Sequence, residues 1–283
     1  MIQIKHEHLE RFTKVHYESL KDKLKEFPKD CKYTLEEVIT SKPEKLDEIA
    51  QWARGESDKY SFMITKYKNF TSQKEEYDAY DLASKLQVNV CPYCNLNATY
   101  TVFTQDGKKI TRPEFDHFYD KSTYPILALS FYNLIPSCHT CNSTLKGREE
   151  FSHETHLNPY SDSFDKVAKF KLKIEDSTFY HSIKGFNLTL ESGNERAENN
   201  IKSFQLDTLY QNHKDIVLEL IQKEAMYNES YLNELLTQYE GTLFKNKEDL
   251  LRMVRGGYVS EEEIGKRPLS KLIKDISQEL GLI

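Results

Sequence analysis

The sequence predicts an α+β fold that is mostly helical: a metal-stapled core of hairpin, loop and helix start, flanked by N- and C-terminal helices. Three observations predict it. Apolar residues recur at three-to-four spacing through most of 1–86 and again after 194. Alternating β-branched and aromatic runs are confined to the middle of the chain. Two C-x-x-C pairs, CPYC at 91–94 and CHTC at 138–141, bracket the first of those runs.

In the first flank, Leu9, Phe12, Val15 with His16, and Ser19 with Leu20 mark one helical face, and Pro28 ends that segment. Thr34, three residues before Glu37, has the spacing of a capping box and opens a second helix. A third helix is expected after Pro43, through Ile49 and Trp52 to Gly55, and a fourth over 58–86. Then the character changes. VNVCPYC is a short β-type approach to the first cysteine knuckle. TYTVFT at 99–104 alternates, Asp106-Gly107 is a hairpin signal, and KKITRPEF is the return strand. DHFYDKSTYP reads as a loop, and ILALSFYNLI as a short apolar run into the second knuckle. A helix is expected to open at Asn142 and run to Arg148.

Downstream, VAKFKLKI and FNLTLES alternate, as a second hairpin or a pair of edge strands. Residues 194–240 return to helical spacing, and 246–282 hold two or three more helices, one near SEEE at 260–263 and one after Pro268. The expected organisation is a helical region 1–86, a bracketed core 87–160, and a region 161–283 of strands then helices that packs on the core. There is no internal repeat and no low-complexity linker.

The bulk numbers bound the function. The 283 residues are 38% hydrophobic and 30% charged, a composition that buries a core. No run approaches the length of a membrane span, and MIQIKHEHLERF lacks the basic-then-apolar layout of a secretory signal. The expectation is a cytoplasmic protein without membrane association. The net charge of −6 argues against a general DNA-coating role. It does not exclude a nuclease, because charge can be local or supplied by a partner. The bracketed segment, with Lys108, Lys109, Arg112, Lys121, Lys146 and Arg148 against Asp106, Glu114, Asp116 and Asp120, is close to neutral and decides little.

In a reducing compartment, paired cysteines at this spacing point to a metal rather than to disulfides. Cys91, Cys94, Cys138 and Cys141 can place four thiolates tetrahedrally around Zn²⁺. Four protein ligands fill the shell, so such a zinc is structural and holds the intervening segment rigid. Two unrelated redox pairs are the competing reading. Cys31 is left over as a simple buried or half-buried thiol.

Inside the bracket stand Asp116-His117 at the end of the second predicted strand, Asn133 in SFYNLIP, and Asn142 directly after the last cysteine. A neutral imidazole accepts a proton near pH 7. An aspartate and an amide oxygen suit a hard divalent ion. Lys146 and Arg148, on the following helix, are placed to hold phosphate oxygens. Lys108, Lys109 and Arg112 read as a solvated face with DNA contact as the alternative. His139 reads as a surface residue with DNA contact as the alternative, and His153 and His156 as loop residues or additions to the site.

D-H…N…C-x-x-C-N-x-x-x-K between zinc knuckles resembles the HNH endonucleases, with their ββα-metal fold, over 91–148. YPILALSFYNLIPSCHTCNSTLKG, FQLDTLYQNHKDIV and RPLSKLIKDI also look similar to the HNH proteins found beside ATPases in anti-phage systems of the Septu and retron-associated kind. The resemblance implies that His117 is the general base and that Asp116 is a ligand of a catalytic Mg²⁺ or Mn²⁺. Asn142, standing where many members have the final His, is then a second ligand, and Asn133 braces the loop that carries the base. It implies water attacking phosphorus in DNA to leave a 5′ phosphate, and an ATPase partner. The alternative is a catalytically inactive, zinc-stabilised module that binds nucleic acid or protein.

Overall fold

The first flank buries its apolar stripe against the middle of the chain. The computed structural model describes residues 2–72 and 76–282. Helix α1 (Leu9–Leu20) turns Thr13, His16 and Leu20 inward. Helix α2 (Leu35–Thr40) begins at the predicted capping box: the Thr34 hydroxyl accepts the Glu37 N–H, and the Glu37 carboxylate accepts the Thr34 N–H. Helix α3 (Pro43–Ala53) starts at its proline and stops before Gly55, whose φ of +90° suits only a residue without Cβ.

The expected single helix over 58–86 is two helices, α4 (Ser57–Thr71) and α5 (Ala79–Leu86). The cause is a second capping box. The Asp78 side chain accepts the Tyr80 N–H at 2.8 Å, and Asp81 accepts the Asp78 N–H at 2.9 Å. That arrangement starts a helix afresh.

In the middle, β1 (Val102–Phe103) and β2 (Lys109–Thr111) form a short antiparallel hairpin around Asp106-Gly107. Its return strand ends sooner than predicted. Arg112-Pro113 interrupts it, because proline has no N–H for the ladder and restricts the residue before it. Strand β3 (Glu114–His117) pairs instead with β4 (Leu134–Ser137), matching Glu114 with Ser137 and His117 with Leu134. Asp116-His117 therefore lies on a second ribbon, whose partner strand leads straight into the second knuckle. Between β3 and β4 the chain makes two single turns, Pro125–Leu127 and Phe131–Asn133, on which α2 and α3 both pack, with α4 against the first.

After Cys138 the chain enters a short helix of π type, Thr140–Lys146, in which the Gly147 N–H reaches back to the Asn142 carbonyl. Asn142 lies inside this knuckle helix rather than opening it, and its N–H donates to the Cys138 carbonyl at 3.0 Å.

Beyond the core come α6 (Phe164–Val167), then β5 (Ala168–Ile174) and β6 (Phe186–Ser192), a fully registered antiparallel pair. Its alternation is as read: Ala168, Phe170, Phe186, Leu188 and Leu190 are buried. Helices α7 (Glu195–Ser203), α8 (Leu206–Tyr210), α9 (Lys214–Met226), α10 (Glu229–Tyr239), α11 (Lys247–Arg255) and α12 (Ser270–Glu279) follow. The expected helix at SEEE is absent: 260–266 form turns. The architecture is α+β and mostly helical, with two-stranded antiparallel sheets. Among the described residues no helix is long and apolar enough to cross a membrane.

One apolar cluster runs from Ile4 to Leu282 and includes all four paired cysteines. A small satellite of Leu232, Phe244, Leu250 and Val254 lies under α10 and α11. The first knuckle is tied from both ends of the chain. Ile2 N–H donates to the Pro92 carbonyl, Tyr210 Oη to the Cys94 carbonyl, and Leu269 N–H to the Asn95 carbonyl, at 2.9, 2.7 and 2.7 Å. Asn95, in the left-handed region at φ +54°, also accepts the Lys271 N–H on its side chain.

Candidate functional site

The two knuckles bring four sulfurs together within the core. The Sγ atoms of Cys91, Cys94, Cys138 and Cys141 all lie within 4.8 Å of one another, and all four residues are buried. Thiolates at about 2.3 Å from a tetrahedral zinc stand roughly 3.8 Å apart, so this set fits Zn²⁺. The surroundings fit too. Leu96 N–H points at Cys94 Sγ (3.4 Å), and Cys141 N–H (3.5 Å) and Asn97 Nδ2 (3.3 Å) point at Cys138 Sγ. Such donors spread the negative charge of buried thiolates. Burial pushes the Cys91 thiol well up, and a coordinated cation is what stabilises it ionised.

On β3, successive side chains turn to different partners. Asp116 is 2% exposed. Its Oδ2 accepts the Tyr93 hydroxyl at 2.7 Å, and its Oδ1 accepts Lys146 Nζ at 3.0 Å. Lys146 also donates to the His117 carbonyl at 2.8 Å and sits over the Phe151 ring. The lysine expected to reach phosphate is thus buried and holds β3 to the end of the knuckle helix.

His117 is buried beneath Tyr67, ring centroids 4.4 Å apart and edge to face. Its Nε2 donates to the Ala128 carbonyl at 3.0 Å. That bond places the proton on Nε2 and leaves the Nδ1 lone pair as the basic position. Burial, aided by the Lys121 charge, pushes the imidazole down to about 3, so it is neutral near pH 7. Asn133 holds the intervening loop with three bonds: Oδ1 accepts the Tyr119 N–H, and Nδ2 donates to the carbonyls of Tyr119 and Leu127.

Asn142 does not join Asp116. Its Nδ2 donates to Glu114 Oε2 at 2.7 Å, beside the Ser143 hydroxyl at 3.0 Å, while His139 Nδ1 meets Glu114 Oε1 at 2.7 Å. Burial alone would raise the Glu114 carboxyl, but hydrogen bonds from His139, Asn142 and Ser143 outweigh it and hold it low. The same contact raises His139. In this arrangement the residues do not fit a divalent ion shared by Asp116 and Asn142. Both Asp116 oxygens are engaged, one of them by an ammonium group, and the amide faces another carboxylate.

Sequence reasoning passed over Glu114 and Tyr93. The signal for Glu114 was the strand period, which sets it two residues before Asp116 on the same side of β3. The hairpin cations also have structural work. Lys109 pairs with the buried Asp78, and Arg112 lies over Tyr80 and Phe115 while donating to the Pro113 and Thr71 carbonyls. His156 stacks on Phe151 at 3.6 Å and bonds Ser203, so it belongs to the packing. Arg196 Nη2 reaches His153 Nδ1 at 3.5 Å. A surface cavity of about 320 Å³ opens beside Glu114 and His139, walled by Tyr100, Val102, Thr111 and Arg112.

Fold and site define an α+β chain built around four buried cysteines whose arrangement fits a metal ion. No protein-family model and no solved structure matches it. Over 75 residues it is 35% identical to the Septu protein PtuB of Bacillus thuringiensis. The aligned stretch is 26% of this chain and 26% of that protein, so the chain matches about a quarter of its relative's length.

Proposed function

We propose that the protein is a metal-dependent endonuclease that hydrolyses DNA phosphodiester bonds in the cytoplasm, as the effector of an anti-phage defence system with an ATPase partner. The observation that carries the reading is His117, a neutral imidazole at the end of a strand clamped by the cysteine staple. Its Nε2 is fixed by a backbone carbonyl and its Nδ1 is left to take a proton. Asn133 supports this by fixing the loop that ends in Ala128. The similarity to the Septu protein supports the defence role. The exposed Leu243 and Met253, which line one surface hollow beside α11, offer an apolar contact to the partner. Co-purification of an ATPase with the tagged chain from its native host tests that part; a chain recovered alone with full activity contradicts it.

The competing reading is a zinc-stabilised binding module without catalysis, and the buried Asp116–Lys146 pair is what favours it. Plasmid DNA incubated with zinc-loaded protein and Mg²⁺ or Mn²⁺ separates the two. The nuclease reading predicts slow, poorly sequence-selective cleavage that falls at least about 100-fold in His117→Ala. Equal rates in the variant, or no cleavage with either ion, would leave the binding module.

A further inference from the structure

We propose that the divalent ion of this protein is held by Glu114, His139 and Asn142 at the mouth of the surface cavity, and not by Asp116. The proposal rests on the nuclease reading for its catalytic meaning, but the ion site stands on its own geometry.

The two carboxylates of β3 differ in what surrounds them. Asp116 is buried, with one oxygen on the Lys146 ammonium and the other on the Tyr93 hydroxyl. An ion there would have to displace a buried cation and desolvate itself fully. The Glu114 side chain is 39% exposed, and its partners are an imidazole, an amide and a hydroxyl, none of them a fixed cation. These groups all lie within 3.0 Å of the same carboxylate, from three residues of one turn after Cys138. A carboxylate oxygen, an imidazole nitrogen and an amide oxygen form a mixed set that suits Mn²⁺ better than Mg²⁺. Water and a phosphate oxygen complete the shell from the cavity side.

Binding asks for small changes. The Asn142 amide turns end for end about its terminal bond, presenting Oδ1 in place of Nδ2. His139 takes its other tautomer, with the ring proton on Nε2 and the Nδ1 lone pair toward the ion. Ser143 remains as a donor to the carboxylate. The zinc staple gives the set its rigidity, since His139 lies between two of the zinc-binding cysteines. Asp116 and Lys146 are then positioning residues that fix β3 against the knuckle helix.

The test is Mn²⁺ binding to the full-length, zinc-loaded protein, read as loss of the free-ion electron paramagnetic resonance signal, with DNA cleavage measured in the same samples. One Mn²⁺ per chain is expected. Glu114→Gln, and separately His139→Gln, weaken it by at least about tenfold, and Asp116→Asn leaves it within about threefold. Loss of the ion in Asp116→Asn but not in Glu114→Gln would overturn the proposal, as would wild-type protein that binds no Mn²⁺. Should Asp116→Asn fail to fold, the Glu114 and His139 variants decide alone, since both residues are partly exposed. Mn²⁺ bound without cleavage would sink the nuclease reading and keep the site. Cleavage undiminished in Glu114→Gln, with its Mn²⁺ lost, would overturn the catalytic role of the site and keep the nuclease reading.

Discussion

Lys146 is 4% exposed, which a lysine tolerates only when its ammonium is fully partnered. Here Asp116, the His117 carbonyl and the Phe151 ring surround it. Lys146→Met leaves Asp116 buried with only the Tyr93 hydroxyl, and is expected to cost about 3–5 kcal/mol in urea unfolding. A loss below about 1 kcal/mol would mean that the pair is solvated in solution. The buried histidines give a second prediction. His16, His117 and His156 are pushed down to about 4, 3 and 4, each chiefly by burial. Their folded values lie below the unfolded value near 6.5, so the unfolded chain binds more protons as pH falls. Stability is therefore full above about pH 6.5 and declines toward pH 4, by up to about 1.4 kcal/mol per pH unit for each histidine. Unfolding at pH 7.5, 5.5 and 4.5 with zinc content measured alongside checks this; a flat profile with zinc retained contradicts it. At this level the four cysteines were readable because their spacing carries the chemistry. Asn142's partner was not, since it depends on how far along β3 the knuckle helix meets the strand.

The helices of the first flank were predictable where a cap or a proline marks them, as at Thr34 and Pro43. They were missed at Asp78, whose cap lies within the charged run KEEYDAYD, inside the single helix expected over 58–86. That aspartate is fully buried, caps α5 and pairs with Lys109 of the hairpin. Asp78→Ala removes the cap and the buried ion-pair partner together, so a loss of at least about 2 kcal/mol is expected in thermal unfolding; a change within about 0.5 kcal/mol would contradict the capping account. The ribbon was misassigned for a related reason. Alternation through KKITRPEF looks continuous, but Pro113 divides it, and the choice of β4 as partner depends on contacts made by distant residues.

The staple is also the point where the two flanks meet. Bonds from Ile2, Tyr210, Leu269 and Lys271 all end on residues 92–95, and the main apolar cluster passes through the four cysteines. We infer that regions 1–86, 87–160 and 161–283 unfold together, with the zinc as their shared anchor. This long-range convergence was not visible from spacing, which records neighbours along the chain and not the ends that fold back on them. The claim on which the rest stands is that four thiolates grip one zinc. Native mass spectrometry of the purified protein measures it directly. The account predicts one zinc per chain, lost on Cys141→Ser. A folded, monodisperse chain that carries no zinc, or that keeps its zinc without Cys141, would contradict it.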